Sequence, residues 1–122
     1  MAQKDKLSAA QAAKFEKIKD FVLGKRYELS LVFVSAKRIR EVNRTYRGKD
    51  TSTDILSFPL SDDSGEILLS ASDIGRKAKE FERTYGNYLE FVFIHGLCHL
   101  KGMTHGSTME RAEKDIRKKF SV

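Results

Sequence analysis

The chain of 122 residues has no tryptophan, one proline and one cysteine. With Cys98 alone no internal disulfide can form, so the fold must rest on an apolar core, which a chain of this length can bury. A single thiol also fits a reducing compartment. One proline, Pro59, and eight glycines exclude collagen-like and low-complexity organisation. Long hydrophobic runs are missing too. Strongly apolar stretches reach only the length of "FVFI" (91–94), far short of the roughly 20 residues that cross a bilayer. The opening "MAQKDKLSAAQAA" has no apolar segment of a secretory leader. These absences point to a cytoplasmic protein with no membrane span, a single domain over residues 1–122.

Acidic side chains are in deficit. The net charge is +6, with the cationic surplus in residues 1–50 and a net acidic stretch over 51–90. Excess Lys and Arg favour a polyanionic partner, because binding phosphates releases condensed counterions. The same surplus equally describes a solvated basic face.

What is present sorts into alternating elements. Ser8 with Gln11 resembles a capping box, followed by a helix carrying Phe15, Ile18 and Val22 inward and stopping near Gly24. "YELSLVFV" alternates apolar residues on both faces and reads as a well-buried strand. Ser35 caps a second helix with an inward stripe of Ile39, Val42 and Tyr46 and a basic outer side of Lys37, Arg38, Arg40 and Arg44. The loop "RGKDTSTD" leads to "ILSFPL", whose Pro59 cannot donate to a ladder, so this strand lies at an edge or ends there. "SDDSG" and "EILLS" complete an antiparallel hairpin. Residues 73–85 place Ile74, Ala78, Phe81 and Tyr85 at helical spacing. Asn87 and Glu90 form a capping box before the apolar helix "YLEFVFIHGLCHL", and Ser107 and Glu110 another before a last helix with Met109, Ala112, Ile116 and Phe120 inward. The sum is an α+β domain: a sheet of three or four strands with helices packed on it.

Histidine is scarce as well, and all three sit in "HGLCHLKGMTH", at 95, 99 and 105. On a helix, residues four apart differ by about 40° in azimuth and about 6 Å along the axis, so His95 and His99 can converge on one ion. His105 can join them only if the chain reverses first, and Gly102 supplies a residue free to adopt the left-handed conformation. Three neutral imidazoles with an open fourth position suit a catalytic zinc site. The spacing H-x-x-x-H-x-x-G-x-x-H is that of metzincin peptidases, except that Gly96 replaces their general-base glutamate. That absence argues against a peptidase. Taken singly, each histidine would read as a core or surface residue; Cys98 reads as a small core residue rather than a ligand.

With these residues in place the chain resembles the YbeY family, bacterial zinc-dependent endoribonucleases of rRNA maturation. The resemblance is carried by "NRTYRGKDTSTDILSFPL" (43–60), "GEILLS" (65–70) and "FIHGLCHLKGMTH" (93–105). It implies a mixed sheet of about four strands surrounded by about five helices, with the metal site at the end of a buried helix. By position, His95, His99 and His105 match the family's ligands for one Zn2+ per chain, and Arg47 matches its functional arginine. The implied activity is single-strand-specific hydrolysis of RNA phosphodiesters in maturation of the small-subunit 3′ end and in ribosome quality control. The implied partners are rRNA precursors and the ribosome or its small-subunit proteins. Arg47, Arg44 and Lys49 are then candidate substrate-binding residues, with Lys37, Arg38 and Arg40 extending a positive wall; each also reads as ordinary solvated surface. Asp54 and Glu66 are candidate proton acceptors, against readings as a turn cap and a solvent-facing side chain. The chain departs from the family at Met103-Thr104, where Tyr-Asp is usual, and between Pro59 and Gly65, which is short. A ribosome-assembly factor with a structural metal, and a metallohydrolase of another class such as a peptidase, remain as rival readings.

Overall fold

The computed structural model describes residues 7–122. Their elements run α1 (Ala9–Leu23), β1 (Glu28–Val34), α2 (Ala36–Arg47), β2 (Ile55–Ser61), β3 (Ser64–Ser70), α3 (Ala71–Glu80), α4 (Tyr85–Leu100) and α5 (Ser107–Phe120). The three strands form one mixed sheet in the order β1-β3-β2, with β1 parallel and β2 antiparallel to β3. Pro59 falls in the edge strand β2, beside a register shift between Pro59 and Ser61, where its missing N–H costs no ladder bond.

Alternation along the strands divides the apolar residues between two cores. Leu29, Leu31, Ile67 and Leu69 face the larger one, shared with α1, α3, α4 and α5. Leu56 and Leu68 face the smaller one, closed by Ile39 and Val42 of α2. The sheet is therefore covered on both faces, which is why β1 reads as a continuous apolar run. In the larger core Phe15 of α1 stacks on Phe93 of α4, centroids 4.1 Å apart and both rings fully buried. Each such ring contributes about 1.5–3 kcal/mol by leaving water. The ammonium of the buried Lys19 donates to the carbonyls of Gly24, Lys25 and Tyr27, fastening the turn between α1 and β1.

Several expectations need correction. Three strands are present among the described residues, the lower of the three or four expected and one fewer than the resemblance implied, because no further alternating stretch remains outside the helices and short connections. The helix expected over 73–85 begins at Ala71, capped by Ser70, and ends at Glu80. Phe81 is its C-cap and 60% exposed, and Tyr85 already opens α4, so neither points into the core. Thr84, in extended conformation, caps α4 by accepting from the Asn87 amide, while Glu90 is engaged with Lys14 at 3.1 Å; the Asn87–Glu90 box does not form. At α5 the N-cap is Gly106, which makes no side-chain cap bond, so Ser107 and Glu110 form no box there. Ser8 caps α1 as expected, but the Gln11 amide reaches Gly86 instead of turning back. Tyr46 shares the helical phase of Ile39 and Val42 yet is 71% exposed, because the end of α2 overhangs the edge strand, where its ring meets Phe58 edge-on.

Candidate metal centre

Tyr88, Phe91, Val92, His95 and His99, one stripe of α4 at the margin of the larger core, line a cleft whose other wall is β2 from Ile55 to Pro59. Arg47 and His105 also line it. At the end of α4 the Gly102 N–H bonds to the His99 carbonyl and the Met103 N–H to the Cys98 carbonyl, with Gly102 at φ 97°. This Schellman reversal is the one expected of that glycine. It swings His105 back, so that the three rings lie with centroids 4.6, 4.9 and 5.4 Å apart and one nitrogen of each within 4.8 Å of the others.

Hydrogen bonds decide which nitrogens face inward. His95 Nδ1 lies 2.7 Å from Glu113 Oε1, and His99 Nδ1 lies 3.2 Å from the Met103 carbonyl oxygen. Both partners accept, so each Nδ1 carries the proton and each Nε2 presents a lone pair. Those two Nε2 atoms are 3.1 Å apart. Two lone pairs so close repel unless a cation lies against both, so the donor set fits a divalent metal ion. His99 is held below the usual imidazole range, first by burial and then by the neighbouring His95 and His105, which keeps it neutral as a ligand must be. His105 is exposed and, among the described residues, has no hydrogen-bond partner, which leaves its ring free to adjust. No carboxylate or thiol joins the three histidines among the described residues. Cys98 is fully buried, its thiol pushed up to about 11 by burial and then by the charge of Glu113, so it is a core residue and not a fourth ligand.

Gly96 explains itself by contact. A Cβ there would lie 2.6 Å from Ile55 Cδ1 and 2.9 Å from Ser57 Oγ. The position faces the helix–sheet seam and has no room for a glutamate. Ser57 occupies the seam: its hydroxyl donates to the Gly96 carbonyl at 3.2 Å, and its own carbonyl accepts from the Arg47 guanidinium at 2.9 Å. Arg47 ends α2, where Gly48 in left-handed conformation releases the chain, and its guanidinium sits 5.5 Å from the Phe58 centroid.

The other candidates divide. Arg44 and Lys49 are exposed and are not among the cleft residues. Arg40 is held bidentately by Asp50, which Arg44 also approaches at 3.9 Å, and Arg38 pairs with Glu41. The positive wall of α2 is thus partly neutralised. Asp54 is buried in the cleft, accepting from the Tyr88 hydroxyl at 2.8 Å with Lys77 at 3.5 Å. Tyr88 is shifted well above its ordinary value by burial and then by Asp54, so it remains a donor. Glu66 lies elsewhere, in a groove beside α2, accepting from Ser30.

Sequence reasoning missed Glu113, Ser57, Lys77, Tyr88 and Phe91. For Glu113 a signal existed: it interrupts the buried stripe Met109–Ile116 of α5, a carboxylate where helical phase calls for an apolar side chain.

A sequence model described as "Endoribonuclease YbeY" matches residues 2–121. A protein of that name from Alkaliphilus metalliredigens is 39% identical, the match covering 79% of this chain and 68% of that protein. Another from Bacillus velezensis is 32% identical over 93% of this chain and 85% of that protein. The solution structure of TM1509 from Thermotoga maritima aligns with a TM-score of 0.68 at 29% identity, covering 98% of this chain and 85% of that one.

Proposed function

The chain belongs to the YbeY family, and from that membership we propose that it is a zinc-dependent endoribonuclease cutting single-stranded RNA. Its setting would be the cytoplasm, in maturation of the small-subunit rRNA 3′ end and in ribosome quality control. Its partners would be rRNA precursors and the ribosome or its small-subunit proteins, and residues 1–122 would act as one metallohydrolase domain. The observation that carries this reading is the pair of Nε2 lone pairs 3.1 Å apart at the head of a cleft that also holds Arg47.

His95, His99 and His105 would hold the ion. Bound there, it supplies Lewis acidity toward a phosphoryl oxygen and toward water. Glu113 and the Met103 carbonyl fix the tautomers of His95 and His99. Arg47 keeps one N–H on Ser57 and offers the rest of its planar fork to phosphate oxygens, holding the substrate and stabilising the charge that grows in the transition state. Water adds to phosphorus, the bond to the leaving ribose oxygen breaks, and that oxygen takes a proton. With no room for a base at Gly96, the proton from the attacking water goes to a phosphate oxygen, to solvent, or to Asp54, the one of the two candidate carboxylates that lines the cleft. Arg44 and Lys49, outside the cleft, would add diffuse attraction for the RNA backbone.

The crowding at Gly96 speaks against a peptidase, and the exposed His105 beside an open cleft speaks against a purely structural metal. The test is cleavage of a single-stranded RNA by the purified protein with zinc, with chelator, and with zinc restored. Arg47→Ala should lower the rate by about 10²–10³, the scale for losing one transition-state donor, and His95→Ala should abolish zinc-dependent cleavage. Folded variants that both cut at the parental rate would overturn the proposal.

A further inference from the structure

We infer that the surface beside the cleft, built from Phe81, Arg83 and Arg117 around Phe91 of the cleft wall, is a track for single-stranded RNA that leads its bases toward the histidine cluster. The inference rests on the RNA reading above and assigns the strand a path which that reading does not. Phe91 lines the cleft one helical turn before His95, about 6 Å along α4. Two guanidinium groups sit against its ring, Arg83 at 4.6 Å and Arg117 at 4.9 Å from the centroid. They come from separate parts of the chain, the α3–α4 connection and α5. Among the described residues neither Arg83 nor Arg117 forms an ion pair, unlike Arg38, Arg40 and Arg44 on α2. Tyr88, itself buried, stacks on Phe91 at 5.8 Å, and the exposed Phe81 stacks on Tyr88 at 5.8 Å with the rings 9° from parallel.

This is the combination that binds single strands. Aromatic faces accept any base, cations follow the backbone, and guanidinium planes themselves stack on bases. Contact with Phe91 holds both guanidinium groups in place before RNA arrives, so little side-chain freedom is lost on binding. Phe81, unlike Phe91, has a ring largely in solvent, with Tyr88 as its stacking partner. The charge favours a polyanion, and Phe91 joins the two guanidinium groups to the cleft wall.

The probe is a fluorescein-labelled oligoribonucleotide of about a dozen nucleotides, bound to zinc-loaded protein and shown to be intact on a denaturing gel after each reading. Anisotropy is measured across a salt series. Arg83→Ala/Arg117→Ala should weaken binding about tenfold and reduce the slope of log K against log salt by about 1.4, the release expected for two single-strand phosphate contacts. Phe81→Ala should weaken binding about fivefold with the slope unchanged, because stacking releases no counterions. Arg83→Lys/Arg117→Lys keeps both charges and should restore the slope but only part of the affinity, which separates a binding role from loss of fold. Parent that binds while every one of these variants stays within about twofold, with unchanged slopes, overturns the track alone. Parent that binds no RNA at low salt overturns both the functional reading and the track.

Discussion

Glu113→Gln is the most informative single change at the metal centre. The carboxylate is buried, its Oε1 is 2.7 Å from His95 Nδ1, and its Oε2 is 3.4 Å away. A glutamine of the same shape can still accept from Nδ1–H, so the tautomer and ring orientation survive. What disappears is the negative charge, and with it part of the basicity of Nε2. Losing such a partner to a ligating histidine typically lowers metal affinity by about 10–100-fold, or about 1.4–2.7 kcal/mol. Glu113→Ala also removes the acceptor, leaves a buried N–H unsatisfied and should fall at or beyond the upper end of that range. Competition with a chromophoric chelator gives the zinc affinity of each variant directly, without reference to any substrate. The order expected is parent, then Gln, then Ala. A Gln variant within about twofold of the parent would show that the charge of Glu113 does not tune the site, and the argument from the 2.7 Å contact would fail.

Two further outcomes concern the frame around the site. Gly96→Ala would gain about 1 kcal/mol if helix propensity decided, but the added Cβ strikes Ile55 and the Ser57 hydroxyl, so a net loss of about 1 kcal/mol or more in a denaturant titration is expected, and a stabilised variant would refute the tight seam. Asp73 is pulled up by burial, but hydrogen bonds from Ser70, Arg76 and Ser52 outweigh this and hold its carboxyl below the ordinary value. Its folded pKa is thus below the unfolded one, so its contribution is complete above the unfolded value near 3.9 and is lost as pH falls through the folded value. Asp73→Asn should therefore cost about 1–3 kcal/mol at neutral pH and progressively less below about pH 4, and a gap equal at both would remove Asp73 from the acid limb.

Much of the site was legible because its chemistry is local. His95, His99, Gly102 and His105 lie within eleven residues, and helix geometry with one left-handed glycine decides their convergence. Glu113 was not readable as their partner, because only the packing of α5 against α4 brings it to His95. Caps show the same limit. "TYGNYLE" holds two capping patterns three residues apart, and the competition is settled by Lys14, a residue of α1 that takes Glu90. Tyr46 followed the phase of its helix, but phase does not say where the sheet beneath ends. Charge counting found the basic helix α2 yet cannot distinguish Arg40, neutralised by Asp50, from Arg117 and from Arg83, which donates to the neutral Asn87; neither of these two forms an ion pair among the described residues. The residues allowed three or four strands and the resemblance about four; the described residues hold three.

Ser57 grips Arg47 with its carbonyl and the backbone of the histidine-bearing helix with its hydroxyl. The guanidinium and the imidazoles thus share a single mounting, and their separation survives any motion that spares those two bonds. Arg83 is held by the same helix, donating to Asn87, and among the described residues no side-chain bond ties it to the edge strand. The helix that carries the imidazoles also carries Phe91, so the proposed track and the metal ligands keep one frame of reference.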